Sequence, residues 1–353
     1  MISFYPGPSK INKGVAQYMQ QAHKQGLLSI NHRSKEFVAI SKKTISLLKK
    51  KLNIPSSYQI FFTSSATECW EIIAQSLIKN KSYHIYNGAF GEKWFEYTRK
   101  IIPLAAHHSF NFEQELKVAD LKISKDTETI CLVHNETSNG TQINERILKE
   151  LKTTYKDSLL AIDATSSMAG IKLDFKNADI WFASVQKCFG LPAGMALLIC
   201  SPDAIKKAAL LQKNKHYNSL IAMAERMRDW QTTYTPNVLG IYLLQEVMNH
   251  SKSIRETDQL ITKRYHNWYV FLNGFKEIKP LIVNADCRSK TVIAIQADEG
   301  KIKSIKAKAK KEGILLGNGY GNWSKNTFRI ANFPAIEEKE IKTLQNFLKK
   351  NIK

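Results

Sequence analysis

Short apolar runs alternate with longer amphipathic stretches over the first 200 residues of the chain. Uninterrupted apolar runs predict buried strands, whereas apolar residues three or four positions apart predict helices. The predicted strands are 59–63, 83–86, 129–134, 158–162, 180–185 and 195–200. The predicted helices are 16–26, 35–52 and 68–79. This alternation is typical of βαβ units, so we predict an α/β fold with a mostly parallel sheet flanked by helices.

The pattern changes after about residue 200, where helical periodicity becomes longer and more polar. Helices are predicted at 203–218, 220–230, 239–250, 257–275 and 337–351, and strands at 291–296, 313–316 and 327–330. We therefore divide the 353 residues into three parts. They are an N-terminal segment (1–14), a large domain (15–245) and a small C-terminal α+β domain (246–353).

Composition narrows the class of protein. The sequence has no apolar window long enough to cross a bilayer and no signal-peptide pattern at its start. Its five cysteines are scattered, which favours reduced core thiols in a cytoplasmic protein over disulfides or a metal site. We predict no metal site and no membrane partner.

The net charge of +21 comes from lysines spread along the whole chain, many of them on amphipathic helical patterns. This favours a solvated lysine-rich surface, with a positive field for anionic substrates as the alternative. No nucleic-acid-binding motif accompanies the charge, so we predict no nucleic-acid partner.

Two candidate catalytic residues follow predicted strands. Asp163 ends the run 159–163, and Lys187 follows the run 180–185 just before a Gly/Pro loop. Since ligands of such sheets bind at the carboxyl ends of strands, these two side chains should lie close together. A lysine amine and a carboxylate suit pyridoxal phosphate, because the amine can form a Schiff base and the carboxylate can keep the pyridine nitrogen protonated.

A third candidate is the hydroxyl-containing turn Ser65-Ala66-Thr67 between a predicted strand and a predicted helix. Backbone N–H groups at a helix N-terminus bind phosphate, helped by the helix dipole. The same residues, with Glu68 after them, are also an ordinary helix N-cap. The sequence leaves both interpretations open.

The residues around the lysine resemble those of the class V, fold-type I aminotransferases. The resemblance rests on Gln186-Lys187, on Asp163 upstream, and on the downstream residues Gly190, Pro192, Ala193 and Gly194. It extends from Phe4 to Arg329 and implies a seven-stranded-type sheet, a small C-terminal domain and pyridoxal phosphate as cofactor. It also implies that Lys187 forms the Schiff base, that Asp163 pairs with the ring nitrogen and that Gln186 contacts the cofactor.

The resemblance assigns further cofactor contacts. Ser65, Ala66 and Thr67 match the phosphate-binding turn, although Thr67 stands where many relatives have arginine. Phe90 matches the aromatic residue that stacks on the pyridine ring, usually tryptophan, and Trp94 is the alternative. Thr137 matches the residue that contacts the ring hydroxyl. Thr235 matches a segment that reaches the cofactor phosphate of a second subunit, which implies a homodimer with shared active sites.

Three basic residues are implied to bind the substrate. Arg329 matches the arginine that holds the α-carboxylate, and His32 with Arg33 match the pair that phosphoserine aminotransferases, a branch of class V, use for the substrate phosphate. This implies transfer of the amino group of L-glutamate to 3-phosphohydroxypyruvate, giving O-phospho-L-serine, and also use of 4-phosphohydroxythreonine.

Two alternatives remain. The first is a serine- or alanine-glyoxylate (or pyruvate) aminotransferase, because a similar His-Arg-Ser string occurs in class V enzymes with non-phosphorylated substrates. The second is a basic nucleic-acid-binding protein that has kept an enzyme fold. The intact pair of Lys187 and Asp163 argues against the second.

Overall fold

The computed structural model describes residues 1–352, which form two large β-sheets and one two-stranded sheet (β6-β7), with helices packed around them. The helices are α1 (Val15–Lys24), α2 (Lys35–Leu52), α3 (Ala66–Leu77), α4 (Ala89–Ile101), α5 (Glu145–Thr154), α6 (Pro202–Leu211), α7 (Leu220–Met227), α8 (Val238–His250), α9 (Ile254–Leu272), α10 (Glu299–Lys311) and α11 (Glu338–Asn351). The strands are β1 (Ile2–Phe4), β2 (Gln59–Thr63), β3 (Ser82–Tyr86), β4 (Ala106–Ser109), β5 (Thr129–Val133), β6 (Asn135–Glu136), β7 (Thr141–Gln142), β8 (Leu159–Asp163), β9 (Ile180–Ser184), β10 (Ala196–Cys200), β11 (Lys279–Pro280), β12 (Val292–Gln296), β13 (Ile314–Asn318) and β14 (Thr327–Ala331).

The larger sheet has seven strands in the order β2-β10-β9-β8-β5-β3-β4. Strand β10 runs antiparallel to both of its neighbours, and the other pairings are parallel. Ala196 at the start of β10 lies opposite Thr63 and Ser184, the last residues of β2 and β9. The carboxyl ends of β2, β5, β8 and β9 therefore share one edge of the sheet, which confirms the predicted α/β class.

The central strands are apolar throughout because helices cover both faces of this sheet. Two adjacent residues of β9 show that the sheet has a separate core on each face. Trp181 belongs to the core that includes residues of α2, α5 and α8, whereas Phe182 belongs to the opposite core with residues of α3, α6 and α7. Both side chains are fully buried. Two packed cores hold the strand ends at a fixed position, which is what a site on that edge requires.

The smaller sheet has the order β1-β13-β14-β12-β11. Its core includes residues of α9, α10 and α11, with Trp268, Phe328 and Phe347 among the buried side chains. Strand β1 pairs in parallel with β13, with Phe4 opposite Leu316. The N-terminal segment thus joins the smaller sheet and then continues toward the edge of the larger one, where Ser9 N–H donates to the carbonyl of Gln186.

The division at residues 14 and 245 stays a prediction. Residue 245 lies inside α8, and Lys353, at the end of the third part, lies outside the described residues. None of the helices within residues 1–352 is long and apolar enough to cross a membrane.

Most predicted elements agree with the structure to within a few residues, and the differences bear on the site. Helix α3 begins at Ala66 instead of Glu68, so Ala66 and Thr67 belong to its first turn. Helices α4 and α5 were not predicted from the periodicity. The helix predicted at 203–218 ends at Leu211 because Gln212 has a left-handed backbone conformation, with φ of 47°.

Candidate active site

A cavity of about 570 Å³ lies at the carboxyl edge of the larger sheet. Its wall is formed by the N-terminal segment, the loops after β2, β5, β8 and β9, the start of α4, and the smaller sheet around β13 and β14. The structure brings eight of the predicted site residues to this one cavity. They are Ala66, Thr67, Phe90, Thr137, Asp163, Gln186, Lys187 and Arg329.

Lys187 is buried at the base of this cavity, in the turn that follows β9. Its Nζ atom donates hydrogen bonds to Oγ1 of Thr137 at 2.7 Å and to Oγ of Ser166 at 2.9 Å. Burial lowers the pKa of Lys187 to about 8, although the carboxylates of Asp163 and Glu136 oppose this shift. A neutral amine, which is the nucleophilic form, is therefore accessible near neutral pH.

Asp163 is the last residue of β8, with only 5% of its surface exposed. Its Oδ1 atom accepts a hydrogen bond from the backbone N–H of Thr165 at 2.8 Å. Burial raises the pKa of Asp163, whereas its hydrogen bonds to Thr165 and the charge of Lys187 act in the opposite direction. A buried carboxylate facing the cavity is suited to a cationic partner such as a protonated ring nitrogen.

Phe90 is held in the cavity wall by the N-terminal turn of α4. Oε2 of the buried Glu136 accepts hydrogen bonds from the N–H groups of Phe90 and Gly91, at 3.1 and 3.2 Å. The Nζ atom of Lys187 lies 5.2 Å from the centre of the Phe90 ring. Trp94 does not line the cavity but packs in the core, edge-on to Phe182 at a centroid distance of 5.1 Å. Of the two candidate stacking residues, only Phe90 therefore faces the cavity.

The predicted phosphate turn is also an N-cap. Oγ of Ser65 accepts a hydrogen bond from the N–H of Glu68 at 3.0 Å, which caps α3. Ala66 N–H donates to Oγ of Ser184 at 3.1 Å, and Thr67 is exposed to the cavity. Capping and phosphate binding are compatible here, because Thr67 lies at the cavity wall and neither its N–H group nor its hydroxyl takes part in the cap.

Arg329, in the middle of β14, enters the cavity from the smaller sheet and is 5% exposed. Its guanidinium group donates to two backbone carbonyls, from Nη1 to Thr137 and from Nε to Asn318, each at 2.6 Å. Burial lowers the pKa of Arg329, although arginine stays charged at neutral pH. The two carbonyls fix the orientation of a group that can bind a carboxylate through its remaining N–H groups.

Four predicted site residues do not line the cavity of the single chain. Ser65 lies just behind it at the cap of α3, as described above. His32 is partly exposed, and the exposed Arg33 donates from Nη1 to Oε1 of Gln231 at 2.7 Å. Thr235 is exposed in the loop before α8. The Arg33–Gln231 bond brings the segment of Arg33 to the segment that precedes Thr235.

Several cavity residues were missed from the sequence. Ser166 contacts the lysine amine, and its only signal was a run of small hydroxyl residues after Asp163. Tyr320 and Lys93 lie at the cavity wall, on the loop before β14 and on α4, and nothing in their sequence context marks them. Gly7 faces Lys187 so closely that an added Cβ would lie 3.1 Å from its Cε atom.

The cavity also contains a polar atom that no other described protein group satisfies. Nδ2 of Asn135 is buried without a hydrogen-bond partner and Asn135 lines the cavity, whereas the side chains of Trp70 and Thr165 interact with the carboxylate of Asp163. Buried polar groups normally have partners, so an unpaired donor at a cavity wall indicates a polar ligand. The group implied by the sequence, pyridoxal phosphate, fits this set, because it combines an aldehyde for Lys187, a basic ring nitrogen for Asp163 and oxygen atoms for the amide donor of Asn135.

Comparisons with known proteins agree with this geometry. The model of the aminotransferase class-V family matches residues 3–323. A solved phosphoserine aminotransferase from Cytophaga hutchinsonii is 34% identical, with a TM-score of 0.94 over 100% of this chain and 99% of that one. A phosphoserine aminotransferase of Nocardioides is 25% identical over 97% of this chain and 92% of its own length.

The fold is shared more widely. A solved alanine–glyoxylate aminotransferase from Nostoc has a TM-score of 0.85 at 18% identity, over 99% of this chain and 94% of that one. The family match covers the larger sheet and the smaller one as far as β13, and the cavity combines a buried lysine with a strand-end aspartate. The chain therefore belongs to the class-V aminotransferases and is a pyridoxal-phosphate-dependent enzyme of fold type I that acts on amino and keto acids.

Proposed function

We propose that this enzyme is a phosphoserine aminotransferase, which moves the amino group of L-glutamate to 3-phosphohydroxypyruvate and gives O-phospho-L-serine. The observation that carries the proposal is the end-to-end similarity to the Cytophaga phosphoserine aminotransferase at 34% identity. The same reaction on 4-phosphohydroxythreonine is part of the proposal. Five buried free cysteines suit the reducing cytoplasm, where we place the enzyme.

Lys187 is the proposed catalytic residue. When bound, pyridoxal phosphate withdraws electrons from the α-carbon of the substrate. Lys187 holds the cofactor between turnovers, and its Nζ atom then carries the proton from the substrate α-carbon. A pKa near 8 suits this role, because the amine can both accept and return a proton close to neutral pH.

The proposed cofactor contacts are assigned mainly to residues that line the cavity. Asp163 pairs with the ring nitrogen, Phe90 stacks on the ring, and Thr137 with Gln186 contacts its edge. The first turn of α3, with Ser65, Ala66 and Thr67, binds the cofactor phosphate through N–H groups and hydroxyls. Thr67 supplies a hydroxyl where many relatives supply a guanidinium group, so the helix N-terminus contributes a larger share of the binding here.

The substrate carboxylate binds Arg329, and we assign the distal phosphate to His32 and Arg33 of a second copy of this chain. In one chain neither residue lines the cavity, so the proposal requires that they serve the active site of a partner subunit. Arg33 is bonded to Gln231, four residues before Thr235, the residue assigned to the partner's cofactor phosphate. One exposed surface thus carries both proposed partner-facing segments, which supports the proposal of a homodimer with shared sites.

The second candidate is a serine- or alanine-glyoxylate aminotransferase. It is favoured by the absence of His32 and Arg33 from the cavity wall formed by residues 1–352, because such an enzyme needs no phosphate site. It would use Lys187, Asp163 and Arg329 in the same roles.

The deciding experiment is a visible absorption spectrum of the purified enzyme before and after addition of L-glutamate and then of each acceptor. We expect glutamate to bleach the band of the lysine-bound cofactor and 3-phosphohydroxypyruvate to restore it. Arg33→Ala should impair this restoration strongly, whereas Arg255→Ala, at another exposed arginine, should not. Restoration by glyoxylate or pyruvate alone would contradict the phosphoserine proposal and leave the class-V assignment intact.

A further inference from the structure

Lys93 is a cavity residue that the proposed roles leave unused. It lies on α4, three residues after Phe90, and its side chain is exposed at the mouth of the cavity. Among the described residues, the cationic side chains that line this cavity are Lys93, Lys187 and Arg329. Lys187 serves the cofactor and Arg329 the α-carboxylate, so Lys93 is the remaining cation.

In the described part of the chain Lys93 makes no direct ion pair, although the charge of Glu96 acts on it from beyond contact distance. Its Nζ atom donates to the hydroxyl oxygen of Tyr320 at 2.7 Å and lies 5.2 Å from the centre of that ring. Within residues 1–352, no carboxylate lies at ion-pair distance from it. The bond to Tyr320 raises the pKa of Lys93, so the side chain stays protonated at neutral pH.

Tyr320 connects this lysine to the carboxylate-binding arginine. The Cζ atom of Arg329 lies 5.6 Å from the centre of the Tyr320 ring, which also stacks on Phe90 at 5.2 Å. Lys93 and Arg329 are thus both adjacent to one aromatic ring at the cavity mouth. A small molecule with an anionic group at each end can reach both cations, because they lie only 5.2 Å and 5.6 Å from the centre of the same ring.

We propose that Lys93 binds the distal anionic group, a phosphate or a side-chain carboxylate, of the amino and keto acid substrates. This deepens the proposed function and rests on it. A neutral hydroxyl is a weaker acceptor for an ammonium group than a carboxylate or phosphate, so an incoming dianion displaces Tyr320 from Lys93. Lys93 acts from the same chain as Lys187, and it complements His32 and Arg33 from the second copy.

The proposal distinguishes substrates with a distal charge from those without one. Its test is the rate at which L-glutamate, O-phospho-L-serine and L-alanine bleach the cofactor band, measured over a range of concentrations. For Lys93→Met we expect KM for glutamate and phosphoserine to rise about 10-fold or more, with the alanine reaction unchanged. Lys93→Arg should retain most of the affinity, and Lys43→Met, at an exposed lysine on α2, should behave as the wild type.

Each other outcome has a definite meaning. Equal losses with glutamate and alanine, or no loss with any substrate, would overturn the role of Lys93, and an unchanged cofactor band in the variant shows that it has folded. If the wild type accepts glutamate but not phosphoserine, the phosphoserine proposal fails while Lys93 is still judged on glutamate against alanine. If the wild type accepts only alanine-like substrates, both proposals fail.

Discussion

Thr137 accepts a hydrogen bond from the Nζ atom of Lys187 through its side-chain oxygen, at 2.7 Å. The backbone carbonyl of the same threonine accepts a hydrogen bond from Arg329 at 2.6 Å. A single residue, which directly follows β6, therefore links the proposed proton-transfer group to the proposed carboxylate-binding group. This relation makes Thr137 a sensitive position for catalysis.

Thr137→Val should slow the half-reaction with L-glutamate about 10- to 100-fold. Valine is similar in size to threonine but has no hydroxyl group, so the amine of Lys187 loses a buried hydrogen-bond partner. Thr137→Ser keeps the hydroxyl and should stay close to the wild-type rate. Single-turnover bleaching of the cofactor band measures both. Equal rates for the valine and serine variants would show that the hydroxyl does not position Lys187.

The pKa of Lys187 predicts how the cofactor-free protein takes up pyridoxal phosphate. The neutral amine is the attacking form, and burial lowers its pKa from 10.5 to about 8. The uptake rate should thus rise about tenfold per pH unit below pH 8 and level off above it, since the amine is then already neutral. Stopped-flow absorbance measures this profile, and a rate that keeps rising to pH 10 would contradict the lowered pKa.

The sequence predicts six of the seven strands of the larger sheet because these are mostly apolar runs, whereas the edge strand β4, which contains His107 and His108, was not predicted. The residues at 35–52 and 59–63 form α2 and β2 with the predicted limits. Helix α4 escaped prediction because its N-terminus depends on Glu136, a residue 45 positions away that accepts the N–H of Gly91. Such a long-range cap leaves no local signal.

The site was predictable to the extent that its residues follow strands. Asp163 and Lys187 each come at or just after a strand end, where the topology of a parallel sheet gathers them. Tyr320 and Lys93 could not be found in this way, because they meet only when the smaller sheet packs against α4. Contacts between distant segments depend on packing that periodicity does not describe.

Arg329→Lys should raise KM for every amino acid substrate on the order of 10- to 100-fold and leave the cofactor band intact. Lysine keeps the charge but cannot bond the carbonyls of Thr137 and Asn318 while also binding a carboxylate as a fork. Steady-state kinetics with glutamate and alanine measure the effect. Arg255→Lys, at an exposed arginine, is the control, and similar KM values for both variants would contradict the assignment.

Phe90 and Trp94 should give opposite results when they are replaced. Phe90→Leu should weaken cofactor binding with little loss of stability, because Phe90 lines the cavity. Trp94→Ala should lower the free energy of unfolding by about 3–5 kcal/mol, because this side chain is 1% exposed in the core. Cofactor titration and urea unfolding separate the two effects. Weaker cofactor binding in a stable Trp94→Phe variant would make Trp94 the stacking residue instead.

The shared active site predicts complementation between inactive subunits. If Lys187 works with Arg33 of the second copy, a dimer of one Lys187→Ala chain and one Arg33→Ala chain contains one complete site. We expect such a hybrid, purified through two different tags, to show about half of the wild-type activity toward 3-phosphohydroxypyruvate. Each parent dimer should be almost inactive toward that acceptor.

The matched control places both substitutions in one chain and pairs it with a wild-type chain. Its only intact Lys187 then faces a partner without Arg33, so a shared site predicts almost no activity toward the phosphorylated acceptor. A site built from one chain predicts the reverse, with half activity in the control and none in the first hybrid. The two hybrids carry identical substitutions in total, so composition and stability are matched and only the arrangement of the residues differs.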